Sequence, residues 1–129
     1  MKTEITALYK CSDLHKEEWI RRSLIRRMVR EWGFPRGLIS VERAIGPRRY
    51  DLVCYSQEMV PLLLVECKVG PLNAAAIRQV FGYNEVLKAP FICLANAKEI
   101  LTLWHERGKI VSVPFLPVFK ELYDVSRRF

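Results

Sequence analysis

Residues 50–68, YDLVCYSQEMVPLLLVECK, read as two short strands, 51–55 and 61–68, joined by a polar turn over 56–60. Both arms are rich in Val, Leu, Cys and Tyr, a composition that packs on a buried pleated surface. Three charges interrupt it: Asp51, Glu66 and Lys68. Side chains alternate along a strand, which puts Glu66 and Lys68 on one face with Leu62 and Leu64. A turn closing about Gln57 and Glu58 is expected to set Asp51 opposite Glu66, and opposed residues of an antiparallel pair have Cβ atoms about 4.5–5.5 Å apart. Two carboxylates and one ammonium then converge at the open end of an apolar hairpin.

Such a placement is costly. Partly burying a charge costs on the order of several kcal/mol unless it gains a partner or a metal. Two neighbouring carboxylates also repel each other, and a divalent cation relieves that repulsion. Mg²⁺ takes carboxylate oxygens and keeps several waters, so a pair of acids is the expected protein share of its ligands. A lysine two residues past the second acid can position or activate a water, an arrangement suited to phosphodiester hydrolysis. The same residues also fit a plainer reading, in which the charges splay into solvent and Lys68 pairs with Glu66. E-x-K alone does not choose between the two.

Composition narrows the setting. The chain has 129 residues, half of them hydrophobic, which suits one domain over 1–129 with a real core. The net charge is +7: residues 1–50 hold 12 Lys/Arg against 6 Asp/Glu, whereas 51–129 hold 9 against 8. A basic N-terminal part points to a polyanionic partner, although a merely solvated basic surface would have the same composition. The four cysteines form no C-x-x-C. Three lie in apolar strand-like runs, as small core residues of a reducing cytoplasm do. No apolar run approaches the roughly 18–20 residues needed to cross a membrane, and no secretory signal pattern is legible.

Outward from the hairpin, Ser12 or Asp13 is placed to cap a helix through about Trp32, ended by Gly33 and Pro35. Its apolar arc is Leu14, Ile20, Leu24, Ile25, Met28, Val29 and Trp32; Lys16, Arg26, Arg27, Arg30 and Glu31 lie opposite. Trp19 faces outward, against the pattern. Glu17, Glu18 and Arg21 fall inside the arc, where Glu17 and Arg21 form a favourable i,i+4 pair or an acid serves the hairpin site. Residues 38–45 read as a first strand, with 46–49 a basic turn that carries Arg48 and Arg49 towards Asp51. A helix over about 72–87 has Ala76, Val80, Tyr83 and Leu87 on its inner stripe. Gln79 shares that stripe, as a satisfied core amide or a site residue. Residues 90–96 read as a buried strand, 100–104 and 109–113 as a second hairpin around Glu106-Arg107-Gly108, and 117–129 as a closing helix. The expected fold is α/β, a mixed sheet between helices with an αβββαβ core over about 13–96 plus a C-terminal hairpin and helix.

The ordered text EEWIRR at 17–22, YDLVCY at 50–55, LLLVECK at 62–68 and QVFGYN at 79–84 resembles the PD-(D/E)xK nuclease superfamily. Within it, the chain is most similar to the N-terminal nuclease domain of type I restriction enzyme motor (R) subunits. The resemblance implies a restriction-endonuclease-like fold and a metal-dependent nuclease acting on DNA. It implies that Asp51 and Glu66 hold Mg²⁺, with Mn²⁺ as a substitute, and that Lys68 positions the attacking water. Gln79 and Tyr83 match the accessory Q-x-x-x-Y motif near the scissile phosphate. Glu17 supports the site from the helix, with Glu18 as its alternative; Arg21 four residues after Glu17 favours the former. Arg26, Arg30, Arg48 and Arg49 are the expected contacts to the nucleic-acid backbone.

The sequence has no G-x-x-x-x-G-K-[S/T] translocase motif and no specificity module. The expectation is a stand-alone cytoplasmic hydrolase, working as a homodimer or with a separate specificity or motor partner. The rival expectation is a non-catalytic nucleic-acid-binding or assembly module built on a nuclease fold, and a protein-interaction domain is a third.

Overall fold

The structure is a computed structural model that describes residues 13–128. In chain order it runs α1 (Asp13–Arg30), a 3-10 turn (Arg36–Leu38), β1 (Ile39–Ile45), β2 (Arg48–Tyr55) and β3 (Pro61–Cys67). Then follow α2 (Ala74–Leu87), β4 (Phe91–Ala95), β5 (Ile100–Glu106), β6 (Lys109–Val113) and α3 (Phe119–Ser126). The six strands lie side by side in their order along the chain. All neighbours are antiparallel except β3 and β4, which run parallel. A parallel pair needs a crossover, and α2 is that crossover. This is the mixed sheet between helices expected from the sequence.

Alternation along the strands divides the core. Leu52, Cys54, Leu63, Val65, Phe91 and Cys93 pack on one face with Ile20, Leu24 and Met28 of α1 and Phe119 and Leu122 of α3. Val53, Leu64, Ile92 and Leu94 pack on the other with Val80 and Leu87 of α2. Both faces of β3 and β4 are therefore covered, and their sequences LLLVEC and FICLA are apolar almost throughout, as strands buried on two sides are. Met28 is wholly buried; truncating such a side chain to alanine costs about 2–5 kcal/mol. Asn73 caps α2, its side chain accepting from the Ala76 N–H at 3.0 Å. The expected cap at Ser12 and the cysteine at position 11 lie outside the described residues.

The hairpin differs from the expected one in four ways. Its loop centres on Glu58, with the Ser56 N–H donating to the Val60 carbonyl and Met59 in the left-handed region at φ 62°. A register shift follows between Cys54 and Tyr55, after which Leu52 faces Val65. The expected pairing does not follow from the expected turn: a turn centred between Gln57 and Glu58 sets Asp51 against Leu64, and it is the wider loop and the bulge, each advancing the register by one residue, that bring Asp51 to Glu66. Leu62 joins the α1 face with Leu63, not the face of Leu64. Arg48 and Arg49 belong to β2, paired with Ile45 and Ala44, not to a turn before it.

Candidate functional site

The β2–β3 ladder stops at Leu52 and Val65, one step short of the acids. There the side chains take over the backbone's hydrogen bonds. The Asp51 N–H donates to Glu66 Oε1 at 3.3 Å, and the Cys67 N–H donates to Asp51 Oδ2 at 2.9 Å. Each acid is thus held by the strand of the other. Alternation also inverts here: Tyr50 packs on the α2 side, whereas Leu52 packs on the α1 side. That inversion lets Asp51 reach α1, where Arg21 Nη1 approaches Asp51 Oδ1 at 3.2 Å.

Arg21 is the residue whose role the sequence understated. It is read there as an i,i+4 partner of Glu17, yet its guanidinium is the counter-ion of Asp51 across the α1–sheet interface. Both side chains are well buried, 12% and 7% exposed. The available signal was an arginine inside an apolar helical arc, where a cation needs an anion from another element.

Glu66 is buried at 9% exposure. Burial pushes its carboxyl up to about 7, and the charge of Asp51 pushes the same way; the Asp51 N–H and Lys68 only partly offset them. Glu17, half-buried on α1, is also raised, first by burial and then by the charge of Asp51, with Lys68 and Arg21 pulling it back. Glu17 therefore lies within electrostatic reach of Asp51, Glu66 and Lys68. Glu18 is half-buried as well, but the charges that act on Glu66 include Glu17 and not Glu18.

Lys68 follows β3 and is anchored by its N–H to the Ala95 carbonyl at 2.8 Å. Its Nζ donates to Gln79 Oε1 at 2.5 Å, not to Glu66. Gln79 is exposed, so it is not the core amide that the inner stripe allowed; its carbonyl faces the lysine. Tyr83, one turn on, is half-buried, and its backbone carbonyl accepts from the buried Tyr50 hydroxyl at 2.9 Å. Arg48 lies over the Tyr83 ring at 4.6 Å. Asn84 bonds both the N–H and the carbonyl of Ala89, fixing the end of α2 against β4.

Asp51, Glu66, Lys68, Glu17, Gln79 and Tyr83 thus gather at one end of the sheet, and Arg48 with them through Tyr83. Arg49 is exposed beside them on β2. Arg26 and Arg30 are exposed too but are not brought to the site. They lie about 13 and 20 Å further along α1 than Glu17, and Arg26 is half a turn round the helix from it.

Two buried acids with an uncompensated charge suit a hard divalent cation. Among the described residues no three His, Cys, Asp or Glu side chains cluster as a metal-holding group, so Asp51 and Glu66 would leave most of the coordination sphere to water and substrate. Among the described residues the cysteines offer no competing chemistry. Cys54, Cys67 and Cys93 are buried and free, and burial raises all three thiols, Cys93 to about 12.

Against known families, residues 16–117 match the one described as type I restriction enzyme R protein N terminus. The chain belongs to this family. Its fold is matched by a solved fragment of an HsdR subunit, ascribed to a type I restriction enzyme from Vibrio vulnificus YJ016. That match has a TM-score of 0.63 and 18% identity, over 88% of this chain and 25% of the other. A type IIG restriction endonuclease, BpuSI, aligns more loosely, with a TM-score of 0.45 and 20% identity over 67% of this chain and 12% of that one. No curated protein matches the sequence. The chain spans a quarter of the length of the Vibrio fragment. The fold is restriction-endonuclease-like, and no described helix is long and apolar enough to cross a membrane.

Proposed function

We propose that this domain is a metal-dependent nuclease that hydrolyses DNA phosphodiester bonds. The observation that carries the reading is the interlocked acid pair, Asp51 and Glu66, buried at a sheet end with Lys68 beside it. Asp51 and Glu66 would hold Mg²⁺ or Mn²⁺. When bound, the cation would supply Lewis acidity towards a phosphoryl oxygen and acidify a water.

The chain's own residues do the rest. Glu66 would hold the cation as a carboxylate, and burial favours its proton when no cation is bound. Arg21 holds one oxygen of Asp51 and so fixes the direction of the other. Lys68 brings a positive charge to the entering water and the phosphate, and Gln79 holds its ammonium away from Glu66. Glu17 adds negative charge from α1 within reach of the Lys68 ammonium. Tyr83 with Arg48 over its ring forms the wall along which a phosphate backbone would run. Family membership supports a nuclease-like role, and the partners that supply specificity or translocation in such systems are proposed for this chain as well.

The test is purified protein on supercoiled plasmid with Mg²⁺ or Mn²⁺, with EDTA and Glu66→Ala as controls. Nicking that disappears in both controls is the expected result. Cutting by Glu66→Ala or Lys68→Ala at the wild-type rate would overturn the mechanism. Tight, salt-sensitive DNA binding without cutting would instead favour a docking module.

A further inference from the structure

A groove of about 730 Å³ opens along α1, between the helix and the segment 95–101. Trp19 and Trp32 from the helix side and Phe115 after β6 wall it, and Ala95 and Ile100 form its floor. Trp19 is 36% exposed and Phe115 53% exposed, so two large rings are held at the surface rather than in either core. The outward tryptophan that breaks the α1 pattern thus has a definite place. Aromatic rings lining one concavity mark a binding surface more often than scattered exposed residues do.

The charge of the rim narrows the occupant. Arg27 lies over the Trp32 ring at 4.5 Å, and Lys98 also lines the groove. Glu99 is the one acid among the described lining residues. Arg27 also pairs with Glu31 at 3.2 Å, but both side chains are about half exposed, and such a pair gives way readily to a phosphate. Aromatic faces interleaved with cations are the features that hold single-stranded nucleic acid, bases on the rings and phosphates on the charges.

The strand that floors the groove is also bonded to the segment that carries Lys68. The Lys68 N–H bonds the Ala95 carbonyl, and Asn96 Nδ2 bonds the Gly70 carbonyl at 3.0 Å. Two strand spacings, about 10 Å, separate β3 from β5. A strand whose backbone passes Asp51 and Glu66 would reach the groove within a few nucleotides. Bases in a duplex have both faces stacked and present only their edges, so they cannot use it.

We propose that this groove is a stacking subsite for unpaired bases, and that the substrate of the site is single-stranded nucleic acid or a frayed end. The proposal rests on the nuclease reading for its direction, but it is tested separately. In EDTA, where nothing is cut, fluorescence anisotropy would compare a labelled single strand, a blunt duplex and a single strand of the same length with abasic sites. The wild type is expected to bind the normal strand roughly tenfold more tightly than the abasic one. Trp19→Ala should bring that ratio close to one and Trp19→Phe should restore it. Equal binding of normal and abasic strands, duplex binding as tight as single-strand binding, or a ratio untouched by both Trp19→Ala and Phe115→Ala would overturn it. Cleavage of the labelled single strand by the wild type in Mg²⁺, lost in Glu66→Ala, reads the other question. Base preference without cleavage supports the groove and overturns the nuclease; cleavage without base preference does the reverse.

Discussion

At the scale of single residues, Glu66 ties stability to pH. Its carboxyl moves from an ordinary 4.5 to about 7 on folding. The native state therefore prefers the proton, so the stabilisation is fully present below about pH 4.5 and is lost as pH rises through about 7. The loss is on the order of 3 kcal/mol, and Glu17 acts in the same direction. Urea denaturation in EDTA should show midpoints that fall across this window, and Glu66→Gln should flatten the profile. Added Mg²⁺ should stabilise the wild type more at pH 8 than at pH 5.5, since the cation competes with the proton; equal stabilisation at both would argue against Glu66 as a ligand. Arg21→Met should cost roughly 3 kcal/mol, because it leaves Asp51 buried without its counter-ion. Chemical denaturation measures that loss, and a Mg²⁺-induced recovery larger than in the wild type would follow if the cation replaces the guanidinium.

At the scale of elements, the turns carry the testable strain. Glu106 pairs with Lys109, so the β5–β6 loop is Arg107–Gly108, both with positive φ at 52° and 78°. This two-residue turn favours Asn-Gly, and Arg107→Asn should raise stability by about 0.5–1 kcal/mol in thermal or urea melts. A loss would mean that the arginine side chain makes a contact outweighing its backbone strain. The strands themselves were legible because period-two patterning is local and successive strands pair with each other. The acid pair was legible for the same reason, since Asp51 and Glu66 sit in one hairpin. The bulge at Cys54/Tyr55 was not, because nothing in the residues there distinguishes a shifted register from a regular one. The face of Gln79 was misread because α2 is apolar on more than one side, with alanines in its first turn that suit either face. Arg48 over Tyr83 joins residues 35 apart in sequence through the β2–α2 packing, and no local pattern announces it.

At the scale of the whole molecule, the +7 charge does not act as one surface. Arg48 stands with the site, whereas Arg26 and Arg30 point away from it along α1. If the phosphate backbone follows Tyr83, Arg48→Ala should lower the slope of log K against log salt by about one, while Arg26→Ala and Arg30→Ala leave it unchanged. DNA-binding titrations at several salt concentrations measure it, and equal effects from all three would mean that α1 is the docking face instead. The sheet, finally, repeats in space the order of its strands in the chain. A polypeptide emerging N-terminus first from the ribosome can lay each new strand on one already present. The sole delay falls between β3 and β4, while the helix of 14 residues is made. During that pause the acids and the lysine are already synthesised, but their partner on β4 is not, so the acid-bearing end of the sheet closes only when β4 arrives.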